Sequence, residues 1–295
     1  MNVDRLFIRT VLIILSLAII SGFNNPLMAQ SDSNADNNNA ELSELSTEMQ
    51  DAEAIELLAR INDTIKIISR YGRDMEKADQ EDRLVLQLQI YQQQKQIMGD
   101  LHQLADTLLE IEKKGSQPKL REKVEDVFTR VTPRLWYHIE RIGKVIDSIR
   151  AKRTKAKVEE LSAIENEVAL YTQRLDTFYE MSSSHIEKMD QLGMDSKKTR
   201  ETFTQLLYDR SDKLSGRISL AVSRIEDLKE QQKKLPDETS IAKSLYASQK
   251  NLSTNTISMK AVVDLMDAFE LNSEAQRALL MSVNQAIGSG SVSYT

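Results

Sequence analysis

The chain has 295 residues, 45 acidic against 39 basic side chains, a formal net charge of −6, 9 glycines, 4 prolines and no cysteine. So few turn residues exclude a sheet-rich fold, whose hairpins and crossovers each need Gly, Asn or Pro, and favour long helices. The mild acidity excludes the basic footprint of a nucleic-acid binder, and the lack of cysteine excludes both a disulfide framework and a lipid-modified N-terminal Cys.

Residues 1–29 read as a cleavable signal peptide. Arg5 and Arg9 precede an apolar run from Val11 to Phe23, and Leu27-Met28-Ala29 places a small residue at the cleavage position. The run is roughly 13 residues against the roughly 20 a membrane span needs, so an uncleaved inner-membrane anchor is the competing reading. Residues 30–40, QSDSNADNNNA, are polar and of low complexity, as in a disordered linker. No later run is apolar enough to cross a bilayer, and a soluble periplasmic chain is expected.

A helical domain is expected over 41–287. Leu58, Ile61, Ile65 and Ile68 make the seam of a first helix over 41–71, with Gly72 as its stop. A second helix starts near Asp79; Ile90, Ile97, Leu104 and Ile111 recur every seven residues with Leu101 and Leu108 between them, Gln94 interrupts, and Gly115 ends it. After Pro118 the pattern resumes through Leu120, Val124, Val127, Val131, Leu135, Ile139, Ile142, Ile146 and Ile149, with Pro133 inside it. Either Thr132 caps a fresh helix there or the helix kinks. The basic run from Arg150 to Lys157 holds no Gly or Pro, so a short connection and one very long helix both fit; a sub-boundary is placed near 150–158.

The most regular stretch follows. Leu161, Ile164, Val168, Tyr171, Leu175, Phe178, Ser182, His185, Met189 and Leu192 alternate steps of three and four, the spacing that keeps one helical stripe against a partner. Gly193 closes this helix and Asp195 or Ser196 caps the next, whose seam is Leu207, Ser211, Leu214, Ile218, Ala221, Ile225 and Leu228. Pro236 stops that helix and Asp237 caps a sixth, with Ile241, Leu245, Ser248, Leu252, Asn255, Met259, Val262, Met266 and Phe269 in line. Ser273 to Gln276 reads as a capping box for a short last helix ending at Ile287, before a flexible tail over 288–295. The expected fold is all-α, an elongated antiparallel helical bundle or coiled coil of about six long helices.

No catalytic, cofactor-binding or metal-binding residues stand out. His102, His138 and His185 fall on separate helices outside any HExxH pattern, and there is no P-loop, GxGxxG or GxSxG. His185 reads as a packed seam residue, and His102 with Asp106 as a solvated pair. The acidic residues are mixed with lysines at salt-bridging spacing, the pattern of a solvated face. Trp136-Tyr137-His138 cannot all face a core, which leaves partial burial or a contact surface. Arg150, Lys152, Arg153, Lys155 and Lys157 suit either a helix end, where the macrodipole favours cations, or anionic lipid headgroups. Ser182, Ser211, Ser248 and Asn255 lie in the seams, where polar groups fix register.

Asp212-Lys-Leu-Ser-Gly-Arg-Ile218, the stretch Val262-Val-Asp-Leu-Met-Asp-Ala-Phe-Glu-Leu-Asn-Ser273 and Arg277-Ala-Leu-Leu-Met281 are similar to the helical periplasmic region that precedes the membrane part of large MscS-like mechanosensitive channels. The resemblance runs from about residue 160 onward. It implies a non-catalytic scaffold or sensor in the cell envelope, with partners by self-association or among envelope and membrane proteins. Where it implies membrane helices and a pore, this sequence has Gly288-Ser-Gly-Ser-Val-Ser-Tyr-Thr295, so no pore residues carry over. The alternative is a stand-alone periplasmic coiled-coil module that holds another envelope protein.

Overall fold

The computed structural model describes residues 52–113 and 115–288. The expected signal peptide, the polar linker, residues 41–51 of the first helix and the tail from 289 lie outside the described residues. Within them the protein is all-α: α1 Ala52–Lys77, α2 Gln80–Glu112, α3 Pro118–Lys152, α4 Val158–Gln191, α5 Lys197–Lys234, α6 Thr239–Ala268 and α7 Glu274–Gly288. The chain divides into two compact units. The first holds α1, α2, α3 up to Arg134 and residues Glu187–Met194; the second holds Leu135–Ile186 and everything from Asp195.

Several helix ends follow ordinary capping chemistry. The Asp79 carboxylate accepts from the Asp82 N–H at the start of α2. Gly193 adopts φ +68 and the Met194 N–H reaches the Met189 carbonyl, so α4 ends as the glycine predicts. Asp195 accepts from the Lys197 N–H, whereas Ser196 makes no side-chain cap.

Three expected boundaries change. Gly72 does not stop α1, which runs on to Lys77: an interior glycine costs only about 1 kcal/mol, and Met75 beyond it is still buried. Asp237 does not cap α6. It lies inside the turn closed by the Glu238 N–H on the Leu235 carbonyl, and the Glu238 carboxylate caps instead, accepting from Ser240. The Ser273 box does not form because tertiary contacts take both side chains. Ser273 donates to Asp267 at 2.6 Å and Gln276 donates to Ser211 at 3.2 Å, so the Glu274 N–H is accepted by Asn272.

Around Pro133 the helix neither restarts nor is capped by Thr132, whose hydroxyl donates back to the Phe128 carbonyl at 2.8 Å. Proline removes the bond to the Thr129 carbonyl. Pro133 and Thr129 are both exposed, so that carbonyl has water as an acceptor's partner and the helix continues. The run 150–158 proves to be a short connection between α3 and α4 inside the second unit, while the division falls at Arg134 and Ile186.

In the first unit α1 and α2 pair antiparallel, as Arg60–Asp100 and Glu53–Gln103 show. Their interior is Leu57, Leu58, Ile61, Ile65 and Ile68 against Met98, Leu101, Leu104, Ala105 and Leu108, with Val124, Val127, Phe128 and Val131 from α3 also buried. In the second unit the directions alternate. Arg153–Glu165 and His138–Phe178 run α3 against α4, Asp176–Arg210 and Tyr179–Leu206 run α4 against α5, and Arg150–Asn255 and Arg153–Ser248 run α6 against α3. Asn251–Glu165 and Ser258–Asp176 carry α6 alongside α4 in the same direction.

Candidate functional site

The interior of the second unit is closed at one level by aromatic rings. Phe203 is wholly buried and lies against Trp136 (6.2 Å between centroids), Tyr179 (6.0 Å) and Phe269 (5.0 Å), while His138 stacks on Phe178 at 5.8 Å. Trp136, Tyr137 and His138 are all half-buried. Of the two readings of that triplet, partial burial against neighbouring helices describes it.

Beyond the rings the core turns polar. Arg210, on α5, donates through Nη2 to Asp176 at 3.0 Å and to the Ser258 hydroxyl at 2.8 Å, and Ser258 donates to Asp176 at 2.7 Å. Three helices thus share one closed triangle, with the Arg210 side chain 4% and the Asp176 side chain 16% exposed. Burial pushes the Asp176 carboxyl up from its usual value, and Arg210 and Ser258 pull the other way.

The second cluster is centred on Glu165, 2% exposed. It pairs with Arg153 at 3.1 Å and accepts from Asn251 at 2.8 Å. Asn251 in turn accepts from Asn255, whose Oδ1 accepts from Arg150 Nη2 at 2.9 Å, and Arg153 Nη2 also donates to Ser248 at 3.3 Å. Arg217 pairs with Asp147 at 2.5 Å nearer the surface. Burial, followed by the like charges of Arg217 and Arg210, lowers the Arg150 guanidinium to about 10. Half-buried Glu167 sits near Lys152, and burial raises its carboxyl to about 7.

Apart from Asn255–Asn251, which lies within α6, these bonds join side chains from separate helices or from the α3–α4 connection, and those of Glu165 and Arg210 do so with little water to compete. Removing one member of such a set leaves a buried charge unpaired, at a cost of about 3–5 kcal/mol. Chemically the arrangement fixes register. Most of its polar groups are turned toward one another, with Arg150 Nε, Arg210 Nε and the Thr172 hydroxyl left without a partner.

The residues singled out from the sequence are distributed as follows. Ser182, Ser211, Ser248 and Asn255 are all buried in the seams. Ser182 donates to its own helix at the Phe178 carbonyl, whereas Ser248 and Asn255 join the polar core. Arg150 and Arg153 turn inward, Lys152 is half-buried, and Lys155 and Lys157 are exposed. His185 is fully buried on α4; His102, half-buried on α2, is lowered by burial and by Lys188, against the opposing pull of Asp106. Asp106 itself pairs with Lys188. Among the described residues no group of three or more His, Asp or Glu is arranged to hold a metal ion.

Sequence reading missed Glu165, Thr172, Asp176, Arg210, Asn251 and Ser258. On α4 the buried line is Leu161, Glu165, Val168, Thr172, Leu175, Tyr179, Ser182, Ile186 and Met189, while Ile164 and Tyr171 are only half-buried. The signal was present as spacing: Glu165 and Thr172 each stand four residues after a seam position. A search for apolar residues steps past them.

No protein-family model, curated protein or solved structure matches the chain.

Proposed function

We propose that this protein is a non-catalytic helical-bundle scaffold or sensor of the periplasm, similar in kind to the extramembrane region of an MscS-like mechanosensitive channel. The bundle would be antiparallel and elongated, built on six long helices, exported by a cleavable signal peptide, and associated with itself or with a membrane protein of the envelope. The observation that carries this reading is how the interior charges of the second unit are used. Arg153, Glu165, Asp176 and Arg210 bind one another across helices, an arrangement suited to holding register under load. With Arg150 and Arg153 engaged inward, Lys155 and Lys157 are the exposed cations left for contact with anionic headgroups.

The test is survival of a hypo-osmotic shock by the host with and without the gene. A loss of survival restored by the wild-type chain supports a role in the mechanical response; equal survival of both strains would sink it. A second reading, a stand-alone module that binds another envelope protein, draws on exposed Leu220 (71%), Ile257 (68%) and Met281 (71%) on α5, α6 and α7. Light scattering with small-angle X-ray scattering on residues 30–295 separates the two. An extended monomer favours the channel-like domain, and a defined oligomer favours the binding module.

A further inference from the structure

The charges inside the second unit do not balance. Asp147 pairs with Arg217, Glu165 with Arg153 and Asp176 with Arg210, while Glu167 lies by Lys152, and no carboxylate among the described residues is within bonding distance of Arg150. Arg150 is left over. It makes no ion pair, its one hydrogen bond goes to the neutral amide of Asn255, and its Nε–H is buried without an acceptor. Asp147 and Glu165 act on it only from beyond bonding distance, against Arg217 and Arg210. Burial drags its guanidinium down to about 10, still well above neutrality, so the side chain is a cation at physiological pH. A largely buried cation with no counter-charge at bonding distance is unfavourable for a core to hold.

Two more donors without acceptors lie inside the same unit. The Thr172 hydroxyl, in a residue 2% exposed, has no partner, and neither does the Nε–H of Arg210, in a residue 5% exposed. The interhelix bonds fix their height. Glu165–Asn251 and Asp176–Ser258 bracket Thr172 on α4 and Asn255 on α6 between them, so Thr172 stands level with the asparagine that holds Arg150. Arg210 enters from the adjacent Asp176 layer. One uncompensated positive charge and a set of orphan donors are complementary to a single negative charge with no donors of its own.

We propose that this layer binds one small monovalent anion of the halide class, held by the Nε–H of Arg150 and the hydroxyl of Thr172, with Arg210 at its border. A single-atom anion fits the chemistry better than a carboxylate or phosphate, which would bring additional oxygens into the core that need partners of their own. The anion would act as a structural counter-ion and tie the stability of the second unit to chloride, independently of whether the protein serves in a mechanical response.

The experiment is thermal melting of the full chain in sodium chloride against sodium gluconate at equal ionic strength, with bromide as an anomalous scatterer in crystals. The expected result is a saturable rise in Tm with chloride and with bromide, and a bromide peak within bonding distance of Arg150 Nε. Arg150→Met should abolish the halide dependence, and Thr172→Val, which keeps the shape and removes one donor, should raise the chloride needed for half the shift about fivefold. Should Arg150→Met fail to fold, Thr172→Val carries the comparison. The proposal is overturned by equal melting in the two salts, by a chloride effect that survives unchanged in both variants, or by water in place of bromide at Arg150.

Discussion

The two units solve the same packing problem with different interiors. In the first, α1 and α2 meet through aliphatic side chains. Its buried hydroxyls at Thr64, Ser69 and Thr132 donate to carbonyls four residues back on their own helices, and its bidentate pairs, Arg60 with Asp100 and Arg121 with Glu112, sit where the arginines are 40% and 33% exposed. In the second, charged and amide side chains cross between helices in the interior. Aliphatic packing is strong but tolerates sliding by a turn, because one Leu or Ile resembles the next. A triangle such as Arg210–Asp176–Ser258 closes in one register only, so the second unit is the more exactly specified of the two.

The largest effect should come from breaking that triangle. Asp176→Ala should destabilise the second unit by about 3–5 kcal/mol in chemical denaturation, because Arg210 is left buried and unpaired. Replacing the pair together, as Arg210→Met with Asp176→Leu, should restore or exceed wild-type stability by about 1–4 kcal/mol while loosening register. If the double variant is as unstable as the single, the polar core is needed for folding itself and not only for specificity. The counterpart in the first unit, Asp100→Ala, should cost much less, since Arg60 regains water. Equal losses at Asp100 and Asp176 would erase the contrast between the units.

A further effect depends on pH. Glu167 has its carboxyl raised to about 7 by burial, so between pH 4.5 and pH 7 the folded chain holds a proton that the unfolded chain has already released. Stability from this group is therefore lost as pH rises through that window. Glu167→Gln should raise the Tm at pH 8 and leave it unchanged at pH 4, read from melting curves at the two values. A Tm gain of the same size at both would mean that the carboxylate is not the cause.

Much of the fold was legible in the sequence. Every expected seam position of α5, from Leu207 to Leu228, is buried, and so are the four of α1 and most of α6. Periodicity reports this well because water excludes aliphatic side chains whatever their partner is. Helix ends were less legible where a cap side chain was claimed by a tertiary contact, as at Ser273 and Gln276. The polar core was hardest. Glu165, Asp176 and Arg210 carry the same residue types as the exposed faces, and what sets them apart is a partner on another element, from Arg153 for Glu165 to Asn251 86 residues away. Arg150 and Arg153 were visible as a basic run, but nothing local indicates that two of its five cations turn inward.

Pro133 has a consequence for how the chain comes apart. It stands beside the residue where the first unit ends on α3, and its missing N–H leaves that helix one bond short at that point. Opening of one unit therefore need not propagate along the helix into the other, so α3 should behave as two cooperative segments sharing one backbone. In amide hydrogen exchange, protection should fall in the turn around Pro133 and rise again on either side. A pulling force applied along α3 would find there a fuse that yields before either core does.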